Sequence, residues 1–202
     1  MKVSPSLRET TLFVIAEVFM AEVSKNRKRL TKLILAAFFL AAAYLLPFLT
    51  GQIQTIGQQL CPMHLPVLLC GFICGPLWGL VVGAVTPLLR SLTLGMPPMF
   101  PTAVAMAFEL AAYGLFAGIF RKIFPKKYPY IYVELILAMI IGRIVWGLAR
   151  FAMAGFSLTE FPLSAFIAGA VTGSIPGIIA QIVLVPPLVF LCEKLLKKYH
   201  LD

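Results

Sequence analysis

The sequence predicts an all-α integral membrane protein with six transmembrane helices and both termini in the cytosol. Hydrophobic residues make up 60% of the 202 residues, and the mean hydropathy is +0.95, whereas a soluble domain is about half apolar. The apolar residues also form runs near the ~20 residues that a helix needs to cross a bilayer. The alternation typical of membrane β-strands is absent from the sequence. These observations indicate a multi-pass helical protein of the cell membrane.

The distribution of charge predicts the orientation of the spans. The formal net charge is +9, and twelve of the seventeen basic residues fall in three clusters, Lys25–Lys32, Arg121–Lys127 and Lys194–Lys198. Each cluster borders an apolar run, which is the positive-inside pattern of cytosolic segments. Contact with anionic lipid heads is the simplest further consequence. The same distribution argues against a nucleic-acid partner.

We expect residues 1–29 to form an N-terminal cytosolic or interfacial segment, followed by a membrane domain over residues 30–202. The apolar part of the first segment is too short to span and is interrupted by Glu17 and Glu22, as in an interfacial amphipathic helix. Met20 is an alternative natural start, and the sequence leaves the two interpretations open.

The first span is predicted at Leu33 to Leu49. Within it, Ala37 and Ala41 form a small-xxx-small pair that lets another helix approach closely. This pair serves either ordinary packing within the fold or docking of a separate membrane subunit.

Glycine and proline punctuate the second and third spans, which are predicted at about Leu60 to Cys74 and at Pro76 to about Leu94. Gly75 stops one helix and Pro76 begins the next. Pro87 should kink the third span. Glycines recur every four residues, which predicts tight helix packing; they are Gly71, Gly75, Gly79 and Gly83.

The remaining spans are predicted at about Thr102 to Phe120, Ile131 to Ala154 and Ala165 to Cys192. An even number of spans then separates each pair of basic clusters, so a six-span protein places all three clusters in the cytosol. The loops at 51–59, 91–101 and 155–164 would face outside, and they carry almost no basic residues.

Polar residues that are costly inside a membrane gather in the outer half of this arrangement. We predict that they bind a substrate: Gln58, His64, Arg90, Glu109, Arg143, Trp146 and Arg150. Three arginines against one deep glutamate favour an anionic ligand, because guanidinium groups bind carboxylates in a bidentate fork. Trp146, Tyr113 and Phe108 are candidates for apolar walls.

Simpler roles for these residues remain open. Glu109 would pair with an arginine, His64 would cap a helix, and Arg90 would extend to the outer headgroups. No catalytic motif, cofactor motif or metal-ligand set is present. We therefore predict a protein that is not an enzyme, and any ATP-driven work would come from a partner. The competing classes are a membrane enzyme that uses His64 and Glu109 as acid and base, and an ion-driven carrier.

One block of the sequence resembles a known family. The strings PMHLPVLLCGFICGP, PLLRS, GMPP and AMAFELAAYG are similar to the substrate-binding S components of energy-coupling factor (ECF) vitamin transporters. The resemblance extends from about Leu30 to the C-terminus. It implies a six-helix protein that captures a vitamin with high affinity from outside. It also implies docking on a transmembrane scaffold subunit with two cytosolic ATPases, through an AxxxA motif that matches Ala37 and Ala41.

The resemblance and the excess of arginine together favour pantothenate as the vitamin. Pantothenate has one carboxylate and a hydroxylated tail, which suits arginine, glutamine and tryptophan side chains. Folate and riboflavin remain the alternatives, although riboflavin carries no carboxylate.

Overall fold

The computed structural model describes residues 5–50, 62–157 and 175–198, and the side chains of residues 22–48, 62–154 and 175–198. The described residues form six α-helices. They are α1 (Pro5–Leu45), α2 (His64–Cys74), α3 (Pro76–Leu94), α4 (Val104–Ile123), α5 (Tyr130–Ser157) and α6 (Ile175–Lys198). A 3₁₀ turn, Leu46–Thr50, follows α1, and an irregular turn, Met99–Ala103, precedes α4.

Five of the described helices are long and apolar enough to cross a membrane. The membrane-spanning stretches are Glu22–Phe48, Pro76–Leu94, Met99–Ile123, Tyr130–Ala154 and Ile175–Lys198. The all-helical prediction is thus confirmed for the described residues. Helix α2, which corresponds to the second predicted span, has only 11 residues, so the total of six spans stays a prediction. The cytosolic location of the termini also stays a prediction.

The first helix extends over both parts of the chain that the sequence analysis separates, and that division stays a prediction. Residues Pro5–Leu45 form one continuous helix of 41 residues, which passes without a break through the boundary expected at residue 30. Twenty residues suffice to cross a bilayer, so α1 is about twice the length that a span requires.

The short helix α2 lies at the centre of the bundle. It contacts α1, α3, α4 and α6, and nine of its 11 residues are buried. Gly75, with φ +100°, ends α2, and Pro76 begins α3 directly after it, as the sequence predicts. A helix this deeply enclosed satisfies its backbone internally and needs no contact with lipid.

Glycines bring the backbones of α2, α3 and α4 into direct contact. A methyl group added at Gly71 or at Gly79 would collide with the carbonyl oxygen of Gly114. One added at Gly83 would collide with the carbonyl of Leu110. The prediction of tight packing is confirmed for Gly71, Gly79 and Gly83, whose partner is α4, and is wrong for Gly75, which has open space where a side chain would lie.

Contacts between helix ends show that the chain runs up and down through the bundle. Arg121, Glu134 and Glu193 meet where α4 ends, where α5 begins and near the end of α6. This end, which also carries Lys194–Lys198, is called the basic end below. Arg90 contacts the end of α1 and His64 contacts Glu109 at the opposite end, which is called the distal end.

Substitution of Gly114 tests this backbone contact. We expect Gly114→Ala to lower stability by about 1–3 kcal/mol, because the added methyl group forces tightly packed helices apart. Thermal unfolding in detergent measures the effect. Phe108→Ala, at an exposed position of the same helix, is the control and should change the melting temperature little. Equal melting of Gly114→Ala and the wild-type protein would contradict the close contact.

Candidate functional site

Three of the predicted site residues meet at the distal end of the bundle. His64 is the first residue of α2, and Glu109 and Arg143 come from α4 and α5. The Glu109 Oε1 atom lies 2.9 Å from Arg143 Nη1 and 3.5 Å from His64 Nε2. The Glu109 side chain is 2% exposed and the His64 side chain 3%. The structure thus brings together groups that are 45 and 34 residues apart in sequence.

Tyr113 and Gly142 lie next to this cluster, on its side toward the basic end. Tyr113 lies one helical turn after Glu109 and is fully buried, with its ring edge-on to His64 at a centroid separation of 5.4 Å. A methyl group at Gly142 would collide with the Tyr113 ring. The missing side chain at Gly142 therefore makes room for Tyr113 beneath His64 and Glu109. The predicted wall residue Tyr113 lies at the cluster, whereas the Phe108 side chain is 56% exposed, and its predicted role stays a prediction.

The Glu109 carboxylate is buried, so neighbouring groups must compensate its negative charge. A buried carboxylate is tolerated only when cations or hydrogen-bond donors compensate it. Arg143 and His64 provide that compensation from two different helices. The 2.9 Å separation is that of a close ion pair, although the N–H directions do not form an aligned hydrogen bond to Oε1. The contact between Arg143 Nη1 and Glu109 Oε1 is therefore mainly electrostatic.

Arg90 lies at the distal end but is engaged with α1. Its Nη1 atom donates to the Tyr44 carbonyl oxygen at 2.8 Å. Its guanidinium also lies 5.9 Å from the Tyr44 ring centroid and 5.2 Å from that of Phe48. Arg90 is buried, so it does not extend to lipid headgroups. The structure does not place it against Glu109, and its predicted ligand contact stays a prediction.

The remaining predicted site residues have different positions. Trp146 and Arg150 are half-buried and follow Arg143 along α5, on the side opposite the exposed Ile144 and Leu148. These side chains of α5 are therefore on the side of the helix that is turned toward the protein. Gln58 lies outside the described residues.

The sequence interpretation did not anticipate a second ionic cluster, at the basic end. Arg121 Nη2 donates to Glu193 Oε2 at 2.8 Å, and Nε donates to Glu193 Oε1 at 2.9 Å. Arg121 Nη1 lies 3.4 Å from Glu134 Oε1, and the Glu134 side chain is fully buried. Glu134 and Glu193 border the basic end of apolar spans, and this signal could have indicated a partner for Arg121.

The described helices are those of a multi-pass membrane protein, and they enclose a buried polar cluster. The family model described as "ECF transporter, substrate-specific component" matches residues 31–189. The chain belongs to that family, and the resemblance noted from the sequence is confirmed at this level. No curated protein and no solved structure matches the chain.

Membership of the family decides between the function classes. The chain is a transporter subunit and not an enzyme, so the acid–base interpretation of His64 and Glu109 is wrong. Substrate-specific components bind a small molecule and associate with a membrane scaffold and ATPase subunits. The predicted role of His64, Glu109 and Arg143 in substrate binding stays a prediction.

The cluster at the basic end yields a stability prediction. We expect Arg121→Met to destabilise the protein by about 3–5 kcal/mol, because it leaves the buried Glu134 without its cation. Lys122→Met, which removes an exposed charge from the next position, is the matched control. Thermal unfolding of both variants in detergent measures the difference. Indistinguishable melting of the two variants would show that the cluster contributes nothing to the fold.

Proposed function

We propose that this S component captures a vitamin carrying a carboxylate from outside the cell, with pantothenate as the leading candidate. It then docks on an energising module of one transmembrane scaffold and two ATPases, which drives delivery inward. The observation that favours a carboxylate ligand is the buried cluster of His64, Glu109 and Arg143, because cations outnumber carboxylates among the described side chains of the distal half.

The charge at the distal end favours an anionic ligand. Among the described side chains of the distal half, three guanidinium groups accompany one carboxylate; they belong to Arg90, Arg143, Arg150 and Glu109. A guanidinium has five N–H donors, so Arg143 can hold Glu109 and a ligand carboxylate together. Electrostatic attraction is strong in a site that excludes water and lipid headgroups. Trp146 adds apolar surface next to Arg143 on α5.

The exposed side of α1 supports the docking step. Ala37 and Ala41 are exposed along with Phe38, whereas Ala36, Phe39 and Ala43 face the core. The alanine pair thus does not serve packing among the described helices. Small residues on an exposed helix face let another membrane helix approach to backbone distance. This face is the surface that we assign to the scaffold subunit.

Native mass spectrometry of the purified chain is the direct test of the ligand. We expect a co-purifying mass equal to that of pantothenate, and submicromolar affinity when the emptied protein is titrated with pantothenate. Folate and riboflavin are titrated in parallel. Binding of another vitamin would keep the transport function and replace pantothenate, and no binding of any of the three would contradict the proposed function.

Substitution of Arg143 tests the site. Loss of a charge-assisted hydrogen bond is worth about 1.5–3 kcal/mol, so Arg143→Met should lower pantothenate affinity at least about tenfold. Arg143→Lys keeps the charge that stabilises Glu109 but loses the fork, and it should fold and still bind weakly. Arg29→Met, an exposed arginine on α1, is the control. Wild-type affinity in both Arg143 variants would exclude Arg143 from the site.

The docking surface has a separate test. We expect Ala41→Trp to abolish uptake of radiolabelled pantothenate by cells that express the complete transporter, since the indole ring holds the scaffold helix away. Titration of the purified variant should show unchanged vitamin binding. Leu148→Trp, at an exposed position of α5, is the control and should support uptake. Normal uptake by Ala41→Trp would place the scaffold on another face.

A further inference from the structure

Gln181 on α6 is a buried amide without a hydrogen-bond partner among the described residues. The residue is 2% exposed, and neither its Nε2 nor its Oε1 atom is hydrogen-bonded. The buried Thr86 hydroxyl, for comparison, donates to the Val82 carbonyl oxygen at 2.6 Å. Burying an unsatisfied amide is unfavourable, and leucine or methionine would fill the same space without that cost. The amide therefore has no partner within the described part of the chain, and a bound ligand would supply one.

The position of Gln181 along the bundle can be measured from the ionic cluster at the basic end. Arg121, Glu134 and Glu193 touch one another, so they mark one level on α4, α5 and α6. Glu109 precedes Arg121 by twelve residues, and Gln181 precedes Glu193 by twelve residues. At 1.5 Å per residue, both lie about 18 Å from that level toward the distal end. Gln181 is thus at the depth of Glu109.

The packing of α6 directs Gln181 toward the interior of the bundle, where His64 and Glu109 also lie. Gly177, Gln181, Val185 and Val189 form its buried face, and the two valines belong to the core that includes Leu68. Helix α6 packs against α2 and α5, which carry His64 and Arg143. The His64 side chain contacts Glu109 through Nε2. Its Nδ1 atom also lacks a hydrogen-bond partner among the described residues. Two unsatisfied polar side chains therefore lie at one depth on adjoining helices.

We propose that Gln181 is a specificity-determining residue that hydrogen-bonds an uncharged polar group of the ligand, a hydroxyl or an amide, whose anionic end is held by Arg143. This inference rests on the proposed function. An amide side chain offers both donors and an acceptor and carries no charge, so it suits a group that can donate and accept. A site of this kind rejects analogues that lack the polar group, because the protein amide would stay unpaired.

The test measures affinity and stability separately. Wild-type protein, Gln181→Leu and Val185→Ala are titrated with pantothenate, folate and riboflavin, and each is melted without ligand. For the vitamin that binds the wild-type protein, we expect Gln181→Leu to lose at least tenfold in affinity. Its melting temperature without ligand should equal or exceed that of the wild-type protein, because the unsatisfied amide is gone. Val185→Ala, one turn away on the same face, should melt earlier and keep its affinity within twofold.

A second substitution guards against misfolding of the leucine variant. Gln181→Met has nearly the same length, suits a helix and cannot donate a hydrogen bond, so it should show the same loss of affinity. Unchanged affinity in the Leu and Met variants would overturn the role of Gln181, and an internal water would then be its partner. An equal loss in Val185→Ala would also overturn it, in favour of packing. Failure of the wild-type protein to bind any of the three vitamins would instead remove the proposed function, and this inference with it.

Discussion

The direct backbone contact of α2 and α3 with α4 is the constraint on which the rest of the structure depends. Gly71 and Gly79 face the carbonyl oxygen of Gly114, and no larger residue fits there. His64 precedes Gly71 by seven residues, and Glu109 precedes Gly114 by five. At 1.5 Å per residue, His64 and Glu109 then lie about 11 Å and about 8 Å from the contact, in the same direction. The register of the glycine contact thus places His64 beside Glu109.

The two ionic clusters differ in the balance of their charges. At the basic end, one arginine joins two glutamates and ties α4, α5 and α6 together through hydrogen bonds. At the distal end, one glutamate lies between an arginine and a histidine. The first cluster has one more carboxylate than cations, and the lysines Lys122 and Lys194 follow Arg121 and Glu193 directly in the sequence. The second belongs to a region with an excess of guanidinium groups, and an anionic ligand would balance that excess.

Helices α4 and α5 connect the two clusters. Arg121 and Glu134 join them at the basic end, and Glu109 and Arg143 join them about 14–18 Å away toward the distal end. Tyr113 fills the space between these pairs and lies against Gly142. A helix pair tied at two levels and filled between them provides a rigid wall. Under the proposed function, Arg143 would already be held by Glu109 before a ligand binds, which lowers the entropy lost on binding.

Much of the fold could be predicted because the membrane imposes simple rules on local sequence. The Gly75–Pro76 break and the bounds of α3 follow from short-range signals, and both are found as expected. The site was predicted less completely. Depth along each span placed His64, Glu109 and Arg143 in the outer half, but depth does not tell which way a side chain points. Arg90 has nearly the right depth, yet its guanidinium turns to the carbonyl of Tyr44.

The sequence by itself determined the class of the protein, its helices and the depth of its polar residues, because hydropathy and the positions of glycine and proline act locally. Only the tertiary structure decided the rotation of each helix, and with it which polar groups meet. Glu134 and Glu193 are 59 residues apart, and both bind Arg121 because three helix ends converge. Gln181 looks unremarkable in an apolar helix, and its unsatisfied amide emerges only when its neighbours are in place. Such pairings depend on how helices pack against one another, which no single segment encodes.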